Sequence, residues 1–115
     1  MLKPKILDCI LQSQMELNFS YIPFVQGGAL FVQTTQRVYL GDIVEINLQL
    51  PTQTSTQTVE GKVVWITPKN ALYQAYAGIG VQLIGTSAKQ IWEEFKANLD
   101  DKIDVGGYVF GTTMG

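Results

Sequence analysis

The sequence predicts a small β-rich domain, a sandwich or small barrel, finished by one amphipathic helix. Three observations carry this. Val44, Ile46, Leu48 and Leu50 alternate with Glu45, Asn47 and Gln49, the period-two pattern of a strand with one wet face. Several other short apolar runs are separated by glycine, proline and polar turn residues, as in all-β domains. After Ser87 the apolar spacing changes to that of a helix, with Ile91, Trp92, Phe95 and Leu99 on one side.

The elements follow in chain order. Ile6 to Leu11 is compatible with either strand or helix. Met15, Leu17, Phe19 and Tyr21 alternate with Glu16, Asn18 and Ser20, which predicts a strand. Ala29 to Val32 is an apolar run entered through Gly27-Gly28. Gly41-Asp42 supplies turn chemistry ahead of the strand at Val44, and Pro51 ends that strand. The Thr/Gln stretch from Thr52 to Thr58 is a polar loop, and Val59 to Ile66 returns as the second arm of a hairpin. Gly78 to Leu83 is a further strand. Ser87-Ala88-Lys89-Gln90 has capping-box spacing and predicts a helix over Ala88 to Ile103, about 24 Å long. Gly106-Gly107 stops it, so one domain over 1–103 is followed by a glycine-rich apolar tail over 104–115.

Composition narrows the function. The chain has 115 residues, 46% of them hydrophobic and 16% charged, which fits one folded domain with a neutral polar surface. A net charge of −2 and a single arginine, Arg37, give no basic patch for nucleic acid. The lone Cys9 fits a reducing compartment, the N-terminus lacks a signal-peptide pattern, and no run reaches the roughly 20 apolar residues of a membrane span. A cytoplasmic location is the expectation.

There is no histidine, which removes the usual general base, the Ser-His and Cys-His nucleophiles, and the commonest zinc ligand. Glu93-Glu94 and Asp100-Asp101 are adjacent pairs on a helix and splay apart, so they do not converge on a substrate. Gly27-Gly28 lacks the lysine and hydroxyl of a phosphate loop. The sequence therefore points to binding without catalysis, with no cofactor and no metal.

One set of blocks is more specific: Pro23-Phe24-Val25-Gln26-Gly27-Gly28-Ala29-Leu30-Phe31-Val32, then Leu40-Gly41-Asp42, Gly61-Lys62-Val63-Val64-Trp65, and Gly78-Ile79-Gly80-Val81-Gln82-Leu83. In this order, from about Ile6 to Leu99, they resemble the PilZ domain, most closely its type IV pilus assembly branch. The resemblance implies a mostly β fold, a small six-stranded antiparallel β-barrel with a C-terminal helix. Many PilZ domains bind cyclic di-GMP with an Arg-x-x-x-Arg pair before the barrel and an Asp/Asn-x-Ser-x-x-Gly motif. Two guanidiniums grip guanine edges and phosphates in bidentate fashion, and the short polar residues take the remaining guanine edge. Arg37 is alone and lies after the glycine motif, so the pair is absent. With Gly28 on the motif's last glycine, Pro23 and Val25 stand where the acid or amide and the serine belong.

That departure is similar to the pilus branch, whose members lack the ligand motifs. The branch implies a cytoplasmic adaptor in type IV pilus assembly and twitching motility. Its partners are the pilus extension ATPase and, in some bacteria, a regulator with a degenerate EAL domain that itself binds cyclic di-GMP. The alternative reading is a cyclic di-GMP receptor in which another surface replaces the lost clamp. Candidate protein-binding residues are Tyr21, Pro23 and Phe24, which crowd an exposed turn, with Phe19 in the same cluster although its alternation points to the core. Trp65 ends a strand that is apolar on both faces and is either covered by the C-terminal helix or a partner anchor. Trp92 and Phe95 belong to the core. Tyr108, Val109 and Phe110 either lie back along the barrel or await a partner.

Cyclic di-GMP is expected not to bind, and calorimetric titration checks this; a low-micromolar dissociation constant would contradict it. Adding an Arg-x-x-x-Arg pair alone should not restore binding, because Pro23 and Val25 offer guanine no polar group.

Overall fold

A computed structural model describes residues 4–67 and 77–100 of the chain. Among these residues the elements are β1 (Lys5–Ile10), α1 (Gln14–Phe19), β2 (Tyr21–Ile22), β3 (Ala29–Gln33), β4 (Ile43–Gln49), β5 (Gln57–Ile66), β6 (Gly78–Ile84) and α2 (Ala88–Ala97). The strands form one sheet in the order β1-β4-β5-β6-β3-β2. The period-two residues of the sequence become its inner face. Val44, Ile46 and Leu48 on β4 join Val59 and Val63 on β5, Ile79 and Val81 on β6, and Leu30 and Val32 on β3 in one buried cluster. Leu7 and Cys9 of β1 complete it, so the ambiguous first segment is a strand.

Two features of the expected barrel are corrected. β1 pairs parallel to β4, with Leu7 opposite Ile46, while the other pairings are antiparallel. The sheet is therefore mixed, and it is not closed: β1 and β2 are its edges. An antiparallel neighbour is reached through a short turn, whereas a parallel one needs a long crossover. The crossover from β1 to β4 carries α1, β2 and β3. Side chains of α1 line the opening between β1 and β3, where a closed barrel would have a ladder.

The strand expected over Met15 to Tyr21 is also corrected. Gln14–Phe19 is a helix, and only Tyr21–Ile22 is strand. Local capping decides this. Ser13 Oγ accepts from the Glu16 amide at 3.1 Å, and Glu16 Oε1 accepts from the Gln12 amide at 2.7 Å. A Ser-x-x-Glu start outweighs an alternation only a few residues long.

α2 closes the inner face. Ala88, Ile91, Phe95 and Leu99 enter the buried cluster, and Phe95 has no exposed surface. Trp92 stacks on Phe95 with ring centroids 5.0 Å apart. The expected capping box is absent here: Ser87 makes no side-chain cap bond and has helical backbone angles. The helix stops at Ala97, short of the expected Ile103, and residues 101–103 lie outside the described residues, as does the tail over 104–115. α1 holds the point where α2 ends. Gln14 Nε2 donates to the Asn98 carbonyl at 2.8 Å, and Asn18 Nδ2 donates to Asp100 Oδ2 at 3.0 Å. The Thr/Gln loop is tied down as well, because Gln53 Oε1 accepts from the Leu50 amide at 3.0 Å and its Nε2 donates to Glu94 Oε2 at 3.3 Å.

Burial, with the Glu16 carboxylate adding to it, pushes the Cys9 thiol from the usual 9.0 up to about 12. The folded protein therefore holds Cys9 neutral at physiological pH. A thiol reagent should leave it unmodified in native buffer and react in denaturant. Because the folded pKa is the higher one, this group has no effect on stability below pH 9.0, and its contribution falls as pH rises from there toward about 12. Denaturation midpoints across that range check the sign.

Phe95→Ala should cost about 3–5 kcal/mol, as buried aromatic truncations do. Phe24→Ala should stay within about 1 kcal/mol, since Phe24 is 68% exposed. Thermal melts compare the two, and equal losses would contradict the burial pattern.

Candidate functional site

The outer face of the sheet divides into two kinds of surface. Across β1, β4 and β5 a polar network lies among the exposed Ile6, Ile10 and Ile43: Asn47 Nδ2 donates to Asp8 Oδ1, and Thr58 Oγ1 donates to Asn47 Oδ1, each at 3.0 Å. Toward β6 and β3 the same face becomes aromatic. Phe19 meets Phe31 edge-on with centroids 5.8 Å apart, Phe31 lies 6.5 Å from Trp65, and Trp65 meets Phe24 at 5.7 Å. These contacts form a continuous row, Phe19–Phe31–Trp65–Phe24. Its two ends are the most open, with Phe19 at 55% and Phe24 at 68% exposure, while Phe31 and Trp65 are half-buried.

A register shift in the β5–β6 ladder builds the row. Val63 lies opposite Val81, but Trp65 lies opposite Gly80, so two steps on β5 match one on β6. Parity along Val59, Gly61 and Val63 would send residue 65 inward. The extra residue sends Trp65 outward instead. This corrects the expectation that the C-terminal helix covers Trp65: α2 packs on the inner cluster, and Trp65 meets Phe24 and Phe31 on the other side.

Two glycines make room beneath the rings. A Cβ on Gly78 would sit 2.4 Å from the Val32 carbonyl oxygen and 2.7 Å from Phe31 Cζ. A Cβ on Gly80 would sit 2.7 Å from Ile22 Cδ1 and 3.2 Å from Trp65 Cβ. Phe24 is carried on the turn between β2 and β3. The Gly28 amide donates to the Val25 carbonyl at 2.7 Å, and Gly27 and Gly28 adopt φ of +81° and +78°, where a side chain is disfavoured. Gln82 Nε2 reinforces the turn by donating to the Gln26 carbonyl at 2.9 Å.

The structure separates the residues singled out from sequence. Phe24, Trp65 and Phe19 are brought together in the row, and Pro23 lies half-buried in the turn that carries Phe24. Tyr21 is not in the row, which corrects its placement in an exposed loop. It pairs with Leu30, an inner-face position, and its ring lies 6.1 Å from Trp92 and 6.5 Å from Phe95. Adjacent strand residues point to opposite faces, so Tyr21 goes inward while Ile22 goes outward. Phe31 was missed. Its position between the inward Leu30 and Val32 was the available signal.

Beyond Phe19, the outer surface descends into a groove of about 600 Å³ between β1, α1 and β3. No group of three or more acidic, histidine or cysteine side chains suited to a metal occurs among the described residues. No helix among them is long and apolar enough to cross a membrane.

Gly78→Ala should cost on the order of 1–3 kcal/mol, because its Cβ meets backbone at 2.4 Å and forces Phe31 to move. A lowered melting temperature with altered tryptophan fluorescence checks this. A neutral result would mean that the close approach does not hold Phe31 in place.

The PilZ domain family model matches residues 8–100 of the chain. No curated protein matches it.

Proposed function

We propose a function from one premise: this chain belongs to the PilZ domain family. PilZ domains are generally binding modules without catalysis. The protein is a cytoplasmic adaptor of type IV pilus assembly and twitching motility, with the pilus extension ATPase as its partner. A degenerate EAL-domain regulator joins them where the cell has one. It binds no cyclic di-GMP, since the arginine pair is missing and the motif positions hold Pro23 and Val25.

The observation that carries the reading is the aromatic row. Where nucleotide-binding relatives hold polar residues facing a ligand, this chain has a turn that exposes Phe24, in ring contact with Trp65. Burying an aromatic ring against a partner is worth about 1.5–3 kcal/mol, and aromatic anchors of this kind dominate interfaces. Phe24, Trp65 and Phe19 make the contact in this reading. Pro23 fixes the turn and lowers the ordering cost of docking. Tyr21 acts from the inner side, where its ring supports Trp92 and Phe95.

Phe19→Ala combined with Phe24→Ala should leave the fold intact and abolish capture of the extension ATPase in a pull-down, and with it surface pili. Circular dichroism establishes folding first. Normal capture by the folded double variant would move the interface off the row.

A further inference from the structure

We propose that the groove between β1, α1 and β3 takes an apolar segment of a partner protein flanked by lysine or arginine side chains. The inference rests on the protein-binding reading and names the chemistry of the partner's docking element.

The groove exists because the sheet does not close between β1 and β3. Its apolar lining comes from Ile10, Met15, Phe19 and Phe31. Phe19 and Phe31 are also one end of the aromatic row, so row and groove form one continuous surface. Met15 is 79% exposed and Phe19 55%, an arrangement that favours covering by apolar groups.

Among the described residues the charge lining the groove is of one sign. Asp8 and Glu16 line it, and no lysine or arginine does so among the described residues. Each carboxylate uses one oxygen structurally: Asp8 Oδ1 accepts from Asn47, and Glu16 Oε1 accepts from the Gln12 amide. Asp8 Oδ2 and Glu16 Oε2 take no hydrogen bond from the described residues. The Glu16 charge acts within the groove wall, where it adds to the effect of burial on Cys9. Apolar lining beside two carboxylates, with no basic side chain lining the groove among the described residues, selects an apolar side chain with basic neighbours and disfavours an acidic segment.

Two synthetic peptides with the same apolar residues, one flanked by lysines and one by glutamates, test this by titration into the isotope-labelled protein. The lysine peptide should shift the amides of Cys9, Ile10, Ser20 and Phe31, and bind more weakly as salt is raised. Asp8→Asn with Glu16→Gln keeps both structural acceptor oxygens while removing both charges, and should weaken that peptide about fivefold to tenfold. Equal binding of the two peptides, shifts confined to other elements, or no weakening in the double variant would each overturn the proposal. ATPase capture separates it from the reading it rests on. Capture that depends on Phe24 but not on the two carboxylates, with no groove shifts, overturns the groove alone. Groove shifts with the lysine peptide alongside capture that depends on the two carboxylates but not on Phe24 uphold the groove and remove the row.

Discussion

The outer face of this protein depends on the ladder between β5 and β6, where the register slips between Val63 and Trp65. Before the slip, Val59 and Val63 point into the core with strict alternation. After it, the largest side chain of the strand stands on the opposite face, opposite Gly80. A bulge also strengthens local twist, and the absent side chains of Gly78 and Gly80 let Phe31 and Trp65 settle against the backbone. Phe24 and Phe19 then extend the row at either end. Without the slip, Trp65 would compete for space with a core already filled by Val63, Val81 and Phe95.

The two faces consequently answer to different demands. The inner face is sealed by α2, whose Phe95 is fully buried and whose C-terminal end is held by Gln14 and Asn18 of α1. That division lets the outer rings remain accessible at little cost to the fold, since the core does not rely on them. α1 serves both sides. Leu17 is buried in the core, while Met15 and Phe19 face outward over the groove. The acidic side chain in the first turn of this short helix, Glu16, is also one of the two charges lining the groove among the described residues.

The open seam between β1 and β3 has a topological cause. β1 reaches β4 through a crossover that includes α1, β2 and β3, long enough for the parallel pairing between them, and β1 stays at an edge. β2 contributes only Tyr21 and Ile22 and does not extend far enough to shut the seam. Closure would eliminate both edges, and the presence of α1 side chains in the opening substitutes for it.

Local patterns in the sequence determined the strands from β3 onward and the apolar side of α2. Alternation at Val44 to Leu50 and spacing at Ile91, Phe95 and Leu99 each reflect burial of one face of a regular element. The exposure of Phe24 was legible from its glycine-bounded turn, and the loss of the nucleotide motif from Pro23 and Val25. At α1 a Ser-x-x-Glu start and an alternating pattern compete over the same residues, and hydrogen bonding at Ser13 and Glu16 settles the contest for the helix. Tertiary structure alone decided the face that Trp65 and Tyr21 occupy. The direction of a strand side chain depends on register against a neighbour, and one extra residue in the ladder reverses it. The partner strand that sets the register of Trp65, β6, lies far along the chain, so no local pattern at Val63-Val64-Trp65 encodes which way the ring turns.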